Sequence, residues 1–499
     1  MLSERLRGRP LEPSVLGGPP RRPPRRRYAW SIATTSPQAA LQSDLRALLG
    51  DSRVIAPTQA YLADATAQWR GLPGRADAVA LPESTAEVER LLAFCSRHDV
   101  QVTPRGGGTG LAGGAIPLDG GVVLALERLR TIRSFEPERW RVHVEAGLRT
   151  AELQRLAREN GLYYAPDPGA AEQSQIGGNI ATNAGGPHTF KYGTTRAWVS
   201  GLEAVLAGGE RIELGGALRK DVAGYDLLGL LVGSEGTLAV ITAAWLRLVP
   251  APEAQLPLVA LYPDTQTGVA ALERVLAAGL ELATLDYLDA GTLALTAASF
   301  PARLLPDAGF MLIAEADGSA TQAQALREDA REVLDAGLLA LHAPSARRDI
   351  DALWRWRDGV AVAVAAKRGG KVSEDIALPP EHLAQAVAET VAIGARHGLE
   401  GLSWGHAGDG NLHATFLIDP REAAELARAE AAADELFSFA IAHGGTVSGE
   451  HGVGSAKRGQ LARQWSEPAL AIHDAIKRAF DPAGVLNRGK KPGRWPVAV

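Results

Sequence analysis

Cysteine is nearly absent: Cys95 is the only one in 499 residues. A lone thiol excludes a disulfide within the chain and an iron–sulfur cluster held by four cysteines. Cys95 falls on the apolar side of an expected helix, where it reads as inert packing. An excess of basic charge is missing too. The formal net charge is −5, so no overall positive field exists to hold nucleic acid. No apolar run reaches the roughly 18 residues that a membrane span needs, and the stretch 360–366 is far too short. What remains is an ordinary globular composition, 46% apolar and 22% charged. At about 100–200 residues per domain, the length calls for several units.

The first 27 residues are rich in Arg and Pro, with Arg21-Arg22 and Arg25-Arg26-Arg27 clustered and no apolar segment behind them. That is not a secretory signal. Residues 1–35 read as a disordered basic tail or a translation start placed too early. A mitochondrial-type presequence, or contact with acidic lipid, is the competing reading.

Beyond the tail, Ser36-Pro37 opens a helix, and Ser84-Thr85-Ala86-Glu87 has capping-box spacing before a stripe of Val88, Leu91, Leu92 and Cys95. Short strands are expected at 100–103, 122–126, 142–146 and 237–248, and Thr150 is expected to cap a helix ending at Gly161. Gly208-Gly209 reads as a two-residue hairpin turn between 202–207 and 210–214. Pro250-Ala251-Pro252 marks a break. After it come helices at about 264–279, 319–337, 380–397, 421–443 and 468–480, with strands such as 310–315 between them. The expected division is 36–252, 253–475 and a closing segment 476–499.

Three glycine loops stand out. The first is Arg105-Gly106-Gly107-Gly108-Thr109-Gly110, continuing to Gly113-Gly114. It contains a formal Gly-x-Gly-x-x-Gly, but Pro117 and Gly120-Gly121 prevent the helix that a Rossmann loop must open, and no acidic residue follows at about 20 positions. The loop therefore cradles phosphate by another route or is only a turn. The second loop spans 177–186 and the third is Gly233-Ser234-Glu235-Gly236-Thr237. Three such loops are costly in backbone entropy for a plain core.

These strings carry a resemblance. Thr103-Pro104-Arg105 through Gly110 resembles the pyrophosphate loop of the vanillyl-alcohol oxidase type of FAD-binding domain. The stretch from Pro166-Asp167-Pro168 to Arg196, the string Asp221-Val222-Ala223-Gly224-Tyr225-Asp226, the Gly233–Thr237 loop and Phe480-Asp481-Pro482 with Asn487 resemble the D-lactate and D-2-hydroxyglutarate dehydrogenase branch, which includes the FAD subunit of glycolate oxidase. The match runs from about residue 55 to 492. It implies an α+β fold: a two-subdomain FAD-binding domain, then an α+β substrate cap on an antiparallel sheet. By the same match, Arg105, Gly106, Gly107, Gly108, Thr109 and Gly110 would contact the pyrophosphate. Asn179, Thr182, Asn183, Gly185 and Gly186 would border the flavin ring, and Glu235 and Asn487 would complete the pocket. The first loop has Thr109 and no His, so FAD would be held non-covalently. One departure is Arg488 after Asn487, where the family more often has Pro.

His406-Ala407-Gly408-Asp409-Gly410-Asn411-Leu412-His413 places two histidines around a tight turn, and Glu450-His451 follows a helix. Two His and a carboxylate suit a divalent metal; a surface turn with chance histidines fits the same spacing. The resemblance implies that His406, His413 and Glu450 bind a divalent metal, zinc foremost, that His451 is the general base, and that Asn411 touches substrate. Arg357 matches an arginine of the family's carboxylate pocket, with Lys371 a weaker candidate. Relatives acting on 2-hydroxyglutarate tend to have Lys-Tyr-Asp where this chain has Ser373-Glu374-Asp375, which leans toward a monocarboxylate such as D-lactate.

The resulting expectation is FAD-dependent oxidation of a D-2-hydroxy acid. Electrons would pass to an external cytochrome, quinone or electron-transfer flavoprotein, since no haem or cluster ligands are visible. Two alternatives are a non-catalytic FAD subunit of a larger oxidase, which should lack the metal set, and a metal hydrolase without flavin. The expected location is cytoplasmic, at most peripheral to the inner membrane, or mitochondrial in a eukaryote. A homodimer is allowed.

Overall fold

The computed structural model describes residues 36–66, 70, 74–302 and 304–491. The Arg/Pro tail expected over 1–35 lies outside the described residues. The first described helix, Pro37–Leu49, starts as its sequence demands. Ser36 accepts from the Ala39 amide, proline occupies the first turn, and Leu41, Leu45 and Leu49 are buried. The helix Thr85–Arg97 is capped by Ser84 and buries Val88, Leu91, Leu92 and Cys95. Burial pushes the Cys95 thiol up to about 12, so it packs and does not react.

These helices cover a four-stranded sheet in the order Val54–Ile55, Ala78–Ala80, Val122–Ala125, Val102–Arg105, the last three parallel. The chain returns to this sheet near its C-terminus. Val102 donates to the Val485 carbonyl and accepts from Asn487, both at 2.9 Å. A second, antiparallel sheet runs Ile132–Glu136, Arg141–Glu145, Ala239–Arg247, Val199–Leu206, Arg211–Gly215. Two local expectations fail here. Thr150 is the first helical residue of Thr150–Glu159, not its cap; its hydroxyl is engaged by Ser174 and Asn179 instead. The hairpin expected at Gly208-Gly209 closes through 207–210, with Leu206 donating to Glu210 at 2.9 Å, so its connection is longer than two residues.

After Pro250 comes a seven-stranded antiparallel sheet in the order Ala340–His342, Ala254–Tyr262, Phe310–Gly318, Thr284–Asp289, Gly401–His406, Asn411–Ile418, Gly370–Ala377. Side chains alternate across it. Leu258, Ala260, Leu312 and Ala314 face the helices Thr265–Ala277, Ala320–Leu334, Leu383–Arg396 and Ala423–Ala442. Val259, Leu261, Met311 and Ile313 face the helix Arg347–Ala366. That helix covers only part of its face. On the same face stand Asp286, Glu315, His406 and His413, buried but polar, and there the first domain packs on. The fold is α+β, with the antiparallel cap sheet expected from the sequence.

Candidate active site

One cavity of about 710 Å³ lies between the two halves. From the first half it takes all three glycine loops: Arg105, Gly106, Gly107, Gly108, Thr109 and Gly110; Asn179, Thr182, Gly185 and Gly186; and Glu235. From the cap it takes Arg357, Lys371, Ser373, Trp404, His406, His413, Glu450 and His451. Asn183, Asn411 and Asn487 do not line it.

The first glycine loop is built for close approach. A Cβ on Gly107 would stand 2.1 Å from the Gln173 carbonyl, so only glycine lets the first loop touch the backbone at 173–174. Among the described residues, the N–H groups of 106–110 have no protein acceptor, as an anion cradle requires. The Arg105 guanidinium is committed elsewhere: it donates to the Ala60 and Ala63 carbonyls at 2.6 and 2.7 Å. Arg105 therefore braces the loop through its side chain.

The second glycine segment, expected as a loop, is helical over Ile176–Thr182 and turns only at Asn183, because its small residues let a short helix pack closely. Asn179 donates to Thr150 at 2.6 Å, and Thr182 donates to the Gly178 carbonyl at 3.1 Å. Asn183 sits in the left-handed region at φ 53°, and its side-chain oxygen accepts from the Arg196 amide at 2.8 Å. It caps the helix Ile176–Thr182 and shapes the turn that follows. Asn487 likewise ties loops together, donating to the Glu235 and Gly114 carbonyls at 2.7 and 3.2 Å. Asn411 donates to the Ile376 carbonyl at 3.0 Å and packs beneath Gly449. Its Oδ1 is buried without a hydrogen-bond partner among the described residues.

His406, His413 and Glu450 converge. One ligand atom from each lies within 4.8 Å of the others; Glu450 Oε1 is 3.5 Å from His406 Nε2 and 3.4 Å from His413 Nε2. The tight turn Ala407–Asp409 between adjacent antiparallel strands brings the two rings together. Asp286 holds His406 by Nδ1 at 2.7 Å, the carboxylate–histidine arrangement that fixes a metal-facing Nε2. Burial works against charge on His406, yet Asp286 and Glu450 outweigh it and raise the imidazole to about 10. For His413 burial wins over the pull of Glu450 and keeps the ring well below its ordinary value. Burial also opposes ionisation of Glu450, but His406 and His413 hold it below the usual carboxylate range. The His451 ring stacks on that of His413, centroids 5.1 Å apart and 5° from parallel. The donor set fits a divalent cation. The cluster also abuts the second glycine segment: a Cβ on Gly185 would come within 2.7 Å of Glu450 Oε2.

Sequence reasoning missed several partners. Asp286 also takes Arg357 Nε at 2.7 Å, so the arginine is already neutralised. Lys371 has no carboxylate partner among the described residues. It lies over the Trp404 ring at 4.6 Å, and burial lowers it to about 8. Asp375 and Lys457, paired and buried, sit under the Glu450 turn. Asp286 did leave a signal: a carboxylate between Leu285 and Tyr287 in an otherwise largely apolar strand that it shares with Asp289.

A cradle of free amides facing a divalent-metal donor set suits a flavin enzyme, and relatives agree. Residues 76–215 match the FAD binding domain family, and residues 251–491 match the family described as FAD linked oxidases, C-terminal domain. The chain belongs to the FAD-linked oxidase family. It is 38% identical to glycolate oxidase subunit GlcD of Bacillus subtilis, over 86% of this chain and 91% of the relative. It is 33% identical to D-lactate dehydrogenase of Anaerostipes hadrus, over 82% and 87%. In fold it is similar to 4-ethylphenol oxidase from Gulosibacter chungangensis, with a TM-score of 0.75 at 19% identity, covering 93% of this chain and 99% of that one. The first half is an FAD-binding domain of the vanillyl-alcohol oxidase type, and the protein is an FAD-dependent oxidoreductase. No described helix is long and apolar enough to cross a membrane.

Proposed function

We propose that this FAD-linked oxidase oxidises a D-2-hydroxy acid of the D-lactate kind to the 2-oxo acid, and that electrons leave through an external acceptor. One observation carries the reading: the glycine loops of the FAD domain and the His406–His413–Glu450 cluster line the same cavity.

FAD, when bound, supplies the two-electron acceptor for the hydride leaving C2. A divalent cation held by His406, His413 and Glu450 would supply Lewis acidity toward the substrate hydroxyl. The chain's own groups do the rest. His451, stacked against His413, takes the hydroxyl proton. Lys371 receives the substrate carboxylate: of the lining cations, Arg70 and Arg357 are paired with Glu374 and Asp286, Arg105 is spent on the Ala60 and Ala63 carbonyls, and Lys371 has no carboxylate partner among the described residues. Arg357, neutralised by Asp286, contributes shape and a second, weaker positive edge; its Nη2 is buried without an aligned hydrogen bond. The Trp404 ring closes the cavity beneath the lysine and keeps water from that side.

The test is anaerobic mixing of the FAD-loaded protein with D- and L-2-hydroxy acids while the flavin absorbance is followed. D-lactate should bleach the flavin and L-lactate should not. His451→Ala should keep FAD and lose the bleaching. Equal rates with both enantiomers, or full-rate bleaching by the His451 variant, would remove the reading.

A further inference from the structure

The turn from Gly449 to Gly454 carries both Glu450 and His451, and two acidic residues from different domains take most of its amides. On the cap side, Asp375 Oδ2 accepts from the N–H groups of Glu450 and His451 at 2.6 and 2.8 Å, and the Asp375 carbonyl accepts from Gly449 at 3.1 Å. On the flavin side, Glu235 Oε1 accepts from Val453 at 3.0 Å and Glu235 Oε2 from Gly454 at 2.6 Å. The remaining amide, Gly452, donates to Ser448 Oγ at 2.9 Å. Each carboxylate has its own counter-charge: Lys457 for Asp375, and Lys491 for Glu235 at 3.0 Å.

Glu235 holds this place under strain. Its φ is 54°, a left-handed conformation that a non-glycine residue keeps only where the surroundings over-determine it. The fit is close as well: a Cβ on Gly452, at φ 83°, would stand 3.0 Å from the Glu235 carboxyl carbon. The Glu235 carbonyl is pinned in turn by Asn487. Charge-assisted bonds from a buried carboxylate to two successive amides make a stiff joint, and this joint crosses the domain boundary two and three residues beyond His451.

We propose that Glu235 is a positioning residue: it clamps the 453–454 amides to the FAD domain and so sets where the His451 ring stands against the flavin loop. Asp375 is its counterpart on the cap. The reading from sequence gave Glu235 to the flavin; the geometry directs its carboxylate to the turn. The proposal rests on the proposed role of His451. Base and redox ring must be aligned to within about an ångström, because a misplacement of that size costs on the order of 100-fold in rate.

The experiment uses the full-length, FAD-loaded protein and two variants. Glu235→Gln keeps one acceptor oxygen, and Glu235→Ala keeps none. Amide hydrogen exchange is read in peptides spanning 449–456, bound FAD by absorbance, and flavin reduction at saturating D-lactate by anaerobic stopped flow. Expected are FAD retention, faster exchange in the turn, and a reduction rate at saturation that falls in steps, about tenfold for Gln and about 100-fold for Ala. The Glu235→Gln variant decides if Glu235→Ala does not fold. Loss of FAD from Glu235→Gln would overturn the proposal in favour of direct flavin contact. Unchanged exchange, or faster exchange with reduction at the wild-type rate, would also overturn it. If the wild-type flavin is reduced by no 2-hydroxy acid, the functional reading fails, and the exchange measurement decides the clamp on its own.

Discussion

Oδ1 of Asp286 lies 2.7 Å from Nδ1 of His406. That contact aims Nε2 of His406 into the cluster with His413 and Glu450. The other oxygen of the same carboxylate takes Arg357, so one buried group orients a residue of the proposed metal set and balances a cavity-lining cation. Asp286→Asn should therefore weaken divalent-metal affinity by about 10–100-fold, the usual cost of losing such a partner. Competition with a chromogenic chelator measures this. The same variant leaves Arg357 buried beside a neutral amide, and its melting temperature should fall because removing one partner of a buried pair is strongly destabilising.

Lys371 gives a pH dependence of known sign. Burial lowers its ammonium to about 8. Below that pH it is charged and can receive a carboxylate; above it the attraction fades. The dissociation constant for D-lactate, from flavin perturbation or KM, should rise as pH climbs past about 8. Lys371→Met should bind D-lactate weakly and lack that rise.

His188 joins the halves away from the chemistry. Its Nδ1 meets Asp167 and its Nε2 meets Glu315 at 3.1 Å, while Glu315 also accepts from Trp354 at 2.9 Å on the helix that carries Arg357. Burial would push the imidazole down, but the two carboxylates outweigh it and hold it well above its ordinary value. A raised folded value means that the stabilisation is complete below the unfolded pKa of about 6.5 and is lost as pH rises through the folded one. Denaturant titrations of wild type and His188→Gln at several pH values should show the widest gap at pH 6 and a narrowing gap toward alkaline pH.

The sequence made the local parts of this site legible. Each glycine loop is contiguous, and so is the His406-to-His413 turn, because its function requires consecutive small residues or adjacent strands. The cap helices were legible from apolar periodicity, within a few residues at their ends. The helix Arg347–Ala366 was less so, although it carries Arg357. What pattern reading does not reach are partners far along the chain. Arg105 was given to phosphate, yet its acceptors lie 42 and 45 residues away. Glu235 was given to flavin, yet its amide donors lie 218 and 219 residues away. A side chain's type is written in the sequence; which of two nearby tasks it performs depends on what the fold brings against it.

Metal removal tests the shared cavity most directly. The FAD-loaded protein is dialysed against a chelator, its flavin absorbance is checked, and reduction by D-lactate is followed anaerobically before and after zinc is restored. The account predicts that stripped protein keeps its flavin, is reduced at least about tenfold more slowly, and recovers with the metal, as expected when a Lewis acid is withdrawn. Reduction at the full rate in stripped protein would contradict it.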